Sequence, residues 1–211
     1  MLDEVKETIL RYSKKMLRCG LTRGTGGNIS IRDRDSGLIA ITGSGIDYEE
    51  MTIEDIVVVN IDGEIIEGKE KPSSELPMHL ACYKKRKDVM AAVHTHSTYV
   101  TTMACMRREI EPIHYLLGFA GGKIGCIPFY PIGSKQLAEN TAEALGEKNA
   151  VLLGNHGLMA VGPTINFAFS VAEESEFVAE LFFNAEIIGK AKMLAQEDIE
   201  PIIQSAKAYL K

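Results

Sequence analysis

Apolar residues recur every three to four positions at Leu2, Val5, Ile9, Tyr12 and Met16, which predicts an amphipathic helix over residues 2–19, stopped at Gly20. The period then drops to two. Asn28-Ile29-Ser30-Ile31-Arg32 and Leu38-Ile39-Ala40-Ile41 flank Asp35-Ser36-Gly37, the pattern of a β-hairpin. Residues 56–59 and 65–66 add two strands on either side of Asp62-Gly63, and a helix is expected to start near Ser73-Ser74 and carry Met78, Leu80, Ala81 and Tyr83. Residues 89–96 read as a strand, 98–106 as a helix, 124–129 as a short strand and 134–145 as a helix. Strands at 150–153 and 158–161 are separated by Gly154-Asn155-His156-Gly157, and helices are expected over 165–188 and 198–210. Strands in hairpin-like pairs with helices between them favour an α/β fold: a three-layer α/β/α sandwich with a mainly antiparallel central sheet. No repeat, linker or low-complexity segment interrupts the pattern, so residues 1–211 read as a single domain.

The composition excludes several function classes. The 211 residues are 45% apolar and 25% charged, with a formal net charge of −6. That acidic balance argues against a duplex-binding or polybasic membrane-binding protein. No apolar run approaches the roughly 20 residues of a membrane span. The N-terminal stretch mixes acids and bases among its apolar residues, unlike a signal peptide, so the expected location is the cytoplasm. Cys19, Cys82, Cys105 and Cys126 are too far apart for a CxxC metal knuckle; they are expected to be reduced and mostly core filler.

Only five histidines are present. His94 and His96, two apart at the end of an apolar strand, point to one face and can share a divalent cation, or can mark a solvated strand end. His156 sits in a Gly-bounded turn between two apolar strands, where it is either a hydrogen-bonded turn residue or the natural third ligand of that pair. In Pro72-Ser73-Ser74-Glu75, Ser74 suits a helix N-cap and Glu75 its first turn. The same residues also suit a phosphate held at a helix start beside a metal-ligating or basic carboxylate. Gly24-Thr25-Gly26-Gly27-Asn28 and Thr42-Gly43-Ser44-Gly45 are either plain turns or anion-binding nests; neither matches a nucleotide fingerprint. Tyr115, after His114, is a packing residue or a proton donor. His79 reads as a satisfied core or surface histidine, and Tyr209 as the anchor of a terminal helix.

The order Gly-Thr-Gly-Gly-Asn, Thr-Gly-Ser-Gly, Pro-Ser-Ser-Glu, His-Thr-His, Ile-His-Tyr, Asn-His-Gly resembles the class II aldolase/adducin family over nearly the whole chain. The resemblance implies a zinc ion held by His94, His96 and His156, with Glu75 as a fourth ligand that swings away to act as the base. It implies that Gly27, Asn28, Ser44, Gly45, Ser73 and Ser74 bind the phosphate of dihydroxyacetone phosphate. It also implies that Tyr115 protonates the aldehyde oxygen from a site shared between subunits of a homotetramer, and that Tyr209 is a catalytic tail tyrosine. The implied reaction is metal-dependent cleavage of a ketose 1-phosphate, with L-fuculose 1-phosphate as the expected substrate. The products would be dihydroxyacetone phosphate and (S)-lactaldehyde, formed through a zinc-stabilised enediolate.

Other readings compete. A pentulose-phosphate 4-epimerase of the family needs a second proton donor, for which an Asp downstream of the HxH pair is usual; here no Asp lies between Asp88 and Asp198. A methylthioribulose-phosphate dehydratase shares similar ligands. A non-catalytic adducin-like module has no need of three histidines and a Glu. A zinc hydrolase using Glu75 to activate water stands outside the resemblance.

Overall fold

The computed structural model describes residues 2–208. In chain order it contains α1 (Asp3–Arg18), β1 (Asn28–Arg32), β2 (Ile39–Thr42), β3 (Ile56–Val59), β4 (Ile65–Glu67) and α2 (Leu76–Lys85). Then follow β5 (Ala91–Thr95), α3 (Thr98–Cys105), β6 (Cys126–Ile127), α4 (Lys135–Leu145), β7 (Ala150–Leu153), β8 (Gly157–Gly162), α5 (Ile165–Ile188) and α6 (Gln196–Ala208). Short 3-10 turns at Ile53–Asp55 and Tyr115–Ala120 were not foreshadowed by any periodicity. The strands form one sheet in the order β4-β3-β2-β1-β5-β8-β7-β6.

Strand alternation sorts side chains to two faces. Ala40, Ile56, Val58, Ala91, Val93, Leu152, Leu158 and Ala160 join residues of α1, α3 and α5 in one apolar cluster. Their neighbours Ile39, Ile41, Val57, Val59, Ala92, Val151, Leu153, Met159 and Val161 join α2 and α4 in a second. Strands buried on both faces explain the unbroken apolar runs Ile56-Val57-Val58-Val59 and Ala150-Val151-Leu152-Leu153.

Four expectations need correcting. The sheet is mixed: β6 pairs parallel with β7, whereas the other neighbouring strands pair antiparallel. The α4 crossover between β6 and β7 returns the chain in the same direction, which a hairpin does not. β6 is also shorter than expected, because Pro128 follows it and has no N–H to extend the ladder. The helix expected at Ser73 starts at Leu76 with Glu75 at its cap position and without a side-chain cap bond, so Ser74 is not the N-cap. The backbone there is still engaged by the sheet: Ser73 N–H donates to Thr42 O at 3.0 Å, and Gly43 bridges Pro72. Of the four free thiols only Cys82 is buried; Cys19 and Cys105 are exposed, so "mostly core filler" fails for them.

Candidate metal centre

Two neighbouring strands, β5 and β8, deliver the imidazoles, and β1 flanks them. In the β1–β5 ladder Asn28 lies opposite His94, and β8 pairs with the other edge of β5, Leu158 opposite Thr95. His96 follows β5 directly, and His156 ends the turn that leads into β8. Glu75, at the start of α2, completes the group. The ligand atoms of Glu75, His94, His96 and His156 all lie within 4.8 Å of one another.

Hydrogen bonding sets the chemistry of this cluster. The Nδ1–H of His94 donates to Leu158 O at 2.9 Å, which fixes the tautomer so that the neutral, metal-binding ring has its lone pair on Nε2. His96 Nε2 is 2.8 Å and His156 Nε2 3.2 Å from that atom. Glu75 Oε2 is 3.0 Å from His94 Nε2, and Glu75 Oε1 is 3.2 Å from His156 Nε2. Converging lone pairs repel unless a cation lies among them. Glu75 Oε1 and His156 Nδ1 are moreover buried without a hydrogen-bond partner. Three imidazoles and one carboxylate fit zinc and other divalent transition ions.

The electrostatics agree with ligands held ready. Burial, then the charges of His94 and His156, push His96 down to about 3; burial, then His94, takes His156 down to about 4. Both rings are therefore neutral near pH 7, the form that binds metal. Burial by itself would raise the Glu75 carboxyl, but His94, His156 and the Asn28 amide hold it well below the usual carboxylate range. His79, fully buried, is pushed down to about 3 by desolvation and then by His94.

A pH dependence follows. His79, His96 and His156 gain protons in the unfolded chain below about 6.5 but stay neutral in the folded one. Stability is thus present above 6.5 and lost as pH falls toward 4, by about 1.4 kcal/mol per pH unit for each proton taken up on unfolding. His94 is shifted upward, so its contribution changes only above 6.5. Urea unfolding of chelator-treated protein between pH 7 and pH 4 is expected to show this decline; a flat profile would mean these rings titrate normally.

Backbone packing keeps the imidazoles close. Gly27 has φ +70°, and a Cβ there would sit 2.6 Å from His94 O; a Cβ on Gly26 would sit 2.7 Å from His96 Nδ1. Only glycine allows the loop so near. The buried Tyr48 hydroxyl pins this loop by donating to Gly27 O at 2.6 Å. On the other side, Arg107 Nε and Nη2 donate to Asn155 Oδ1 at 2.9 and 2.5 Å, holding Asn155 at its left-handed φ of 56° beside His156. Glu176 of α5 caps α3, accepting from Ser97 Oγ, Tyr99 N and Val100 N at 2.8, 2.8 and 2.9 Å, just after His96. Sequence reasoning missed Tyr48, Arg107 and Glu176, which lie in no motif; Asn155 was visible only as part of a Gly-bounded turn.

The structure brings the remaining sequence candidates together unequally. Ser44 N–H donates to Lys71 O at 2.9 Å, so with the Ser73–Thr42 bond the Ser44-Gly45 turn lies alongside Ser73-Ser74. Ser44, Gly45 and Ser74 are exposed, while Ser73 and Gly27 are buried. Asn28 Nδ2 donates to Glu75 Oε2 at 2.9 Å, which joins the first glycine loop to the serines. One Nδ2 hydrogen of Asn28 remains for another acceptor. Gly133 backs onto Ser74, where a Cβ would meet Ser74 O at 2.7 Å. Tyr115 is 54% exposed and its ring meets His114; no hydrogen bond or ring contact joins it to the cluster within the chain. Tyr209 lies outside the described residues.

Comparison with known proteins adds to this geometry. The family model described as Class II Aldolase and Adducin N-terminal domain matches residues 7–183. The sequence is 47% identical over 209 residues to 5-deoxy-D-ribulose 1-phosphate aldolase of Bacillus thuringiensis serovar kurstaki, covering 99% of this chain and 98% of that protein. It is 38% identical over 209 residues to L-fuculose phosphate aldolase of Escherichia coli strain K12, covering 98% and 96%. A solved structure of L-fuculose 1-phosphate aldolase superposes with a TM-score of 0.94 at 40% identity, covering 97% of this chain and 96% of that one.

Proposed function

Since this chain belongs to the class II aldolase and adducin family, we propose that it is a single-domain, divalent-metal-dependent aldolase acting on a ketose 1-phosphate. The observation that carries the reading is the position of Glu75, whose carboxylate touches two imidazoles on one side while its backbone joins the serine loop on the other. Glu75, His94, His96 and His156 would hold the ion, zinc being the first choice for this donor set. When bound, the ion supplies Lewis-acid polarisation of the substrate carbonyl.

The chain's own groups do the rest. The Ser44-Gly45 and Ser73-Ser74 loops, with Gly27 and the spare Asn28 N–H, bind the phosphate and fix the reacting carbon relative to Glu75. In the synthetic direction Glu75 takes the proton from the carbon beside the carbonyl of dihydroxyacetone phosphate, and Tyr115 O–H gives a proton to the aldehyde oxygen. Cleavage runs both transfers in reverse.

The higher identity supports a 5-deoxypentulose 1-phosphate, releasing acetaldehyde, ahead of L-fuculose 1-phosphate, releasing (S)-lactaldehyde. Coupled detection of dihydroxyacetone phosphate from each substrate tests this. A larger kcat/KM on the five-carbon substrate supports the order, a larger value on L-fuculose 1-phosphate reverses it, and no release from either rejects the reading.

Tyr115, Phe177, Phe183 and Ile187 are exposed, with His114 against both Tyr115 and Phe177 and Tyr99 against Phe183; this exposed apolar area supports a homotetramer in which Tyr115 reaches a neighbouring active site. Tyr115→Phe is then expected to slow aldol cleavage more than solvent exchange of the dihydroxyacetone phosphate proton; equal losses would remove Tyr115 as the donor. Helices on both faces of the sheet support the three-layer α/β/α description. Among the described residues no helix is long and apolar enough to cross a membrane, and four free thiols suit a reducing cytoplasm.

A further inference from the structure

A chain of buried polar side chains runs from the core to Glu75. Tyr83, Ser30 and His79 are wholly buried, and Asn28 is 4% exposed. Tyr83 OH is 2.7 Å from Ser30 Oγ, Ser30 Oγ is 2.7 Å from His79 Nδ1, His79 Nε2 is 2.5 Å from Asn28 Oδ1, and Asn28 Nδ2 is 2.9 Å from Glu75 Oε2.

The carboxylate fixes every direction in this chain. An ionised Glu75 only accepts, so the Asn28 amide turns its N–H toward Glu75 and its oxygen toward His79. His79 must then donate through Nε2–H. A neutral imidazole has one N–H, so Nδ1 accepts from Ser30 O–H, and Ser30 in turn accepts from Tyr83 O–H. Burial keeps His79 neutral, as this scheme requires. A flipped Asn28 would set its oxygen against the carboxylate and its NH2 against the donating nitrogen of His79. Glu75 Oε1 has no hydrogen-bond donor, so Asn28 is the one side-chain amide or hydroxyl tethering this carboxylate among the described residues.

We propose that His79, which the aldolase mechanism does not otherwise use, is a positioning residue: it locks the Asn28 amide and thereby sets the orientation of the Glu75 carboxylate, the group that exchanges a proton with substrate. The proposal rests on the aldolase reading. Its physical basis is that hydrogen bonds orienting a metal ligand or base commonly change activity by about 10- to 100-fold when removed.

The test compares wild type with His79→Leu, His79→Gln and Ser30→Ala, each loaded with zinc and assayed for dihydroxyacetone phosphate release and for solvent exchange of its C–H proton. Expected is a fall of about 10-fold or more in kcat for His79→Leu, larger than any rise in KM from the loosened Asn28 amide, with proton exchange reduced in proportion to kcat. His79→Gln keeps an amide donor and is expected to recover most of that loss. Ser30→Ala frees His79 to move its proton to Nδ1 and so to release Asn28; kcat is expected to fall in the same direction by a smaller factor than in His79→Leu, again by more than any rise in KM. If His79→Leu does not fold, His79→Gln and Ser30→Ala decide: a near-normal glutamine variant with an impaired alanine variant supports the proposal. Wild-type kcat in His79→Leu or Ser30→Ala, or a glutamine variant as poor as the leucine one, overturns it. A wild-type protein that releases no dihydroxyacetone phosphate overturns the aldolase reading itself, a result distinct from any of these.

Discussion

Glu75→Gln is expected to keep its metal and lose at least about 100-fold in turnover, the usual size of a general-base contribution. The substitution is nearly isosteric. Its amide oxygen can still face the imidazoles, and three histidine nitrogens remain as ligands. What disappears is the group that accepts a proton from carbon. The neighbouring hydrogen bond also changes character, because Asn28 Nδ2–H no longer meets an anion. Metal analysis and steady-state turnover on the same sample separate the two roles of Glu75. Turnover like wild type in a zinc-loaded variant would remove Glu75 from the proton transfer.

His96→Ala is expected to abolish metal retention and activity together while leaving the fold intact. The three imidazoles are not equivalent in this respect. His94 is fully buried and its Nδ1–H holds Leu158 O, so its removal would injure the β5–β8 ladder as well as the site. His96 makes its ring hydrogen-bond contact to His94 and packs over Gly26, so little besides the ligand is lost. The expected result is well below one equivalent of metal after desalting, activity at background and an unchanged circular dichroism spectrum. Stoichiometric metal in His96→Ala would refute the four-residue ligand set.

Much of the site was legible because strand ends declare themselves. His94 and His96 close an apolar run, and His156 sits between two others, so their convergence needed only β5 and β8 to pair. Glu75 was legible through the serines before it, although the helix begins three residues after Ser73 because the sheet still holds that backbone. The parallel β6 edge was hidden, since a two-residue strand ended by Pro128 leaves almost no periodicity to read. Hidden too were the groups that hold the site in shape. His79 read as a satisfied core histidine, and it is one, yet its partners Asn28 and Ser30 lie about fifty positions away. Tyr48, Arg107 and Glu176 likewise act across distances that no local pattern spans. Tyr115 stands exposed and away from the cluster, so the proton-donor role proposed for it depends on the proposed tetramer.

The central claim is metal-dependent carbon–carbon bond cleavage at the cluster of Glu75, His94, His96 and His156. Its most direct test is dihydroxyacetone phosphate release from 5-deoxy-D-ribulose 1-phosphate and from L-fuculose 1-phosphate by metal-analysed protein, before chelation, after chelation and after zinc is restored. Release that vanishes with the chelator and returns with zinc is the expected result. Release at full rate from protein shown to contain no metal, or none from protein carrying one zinc per chain, would contradict it.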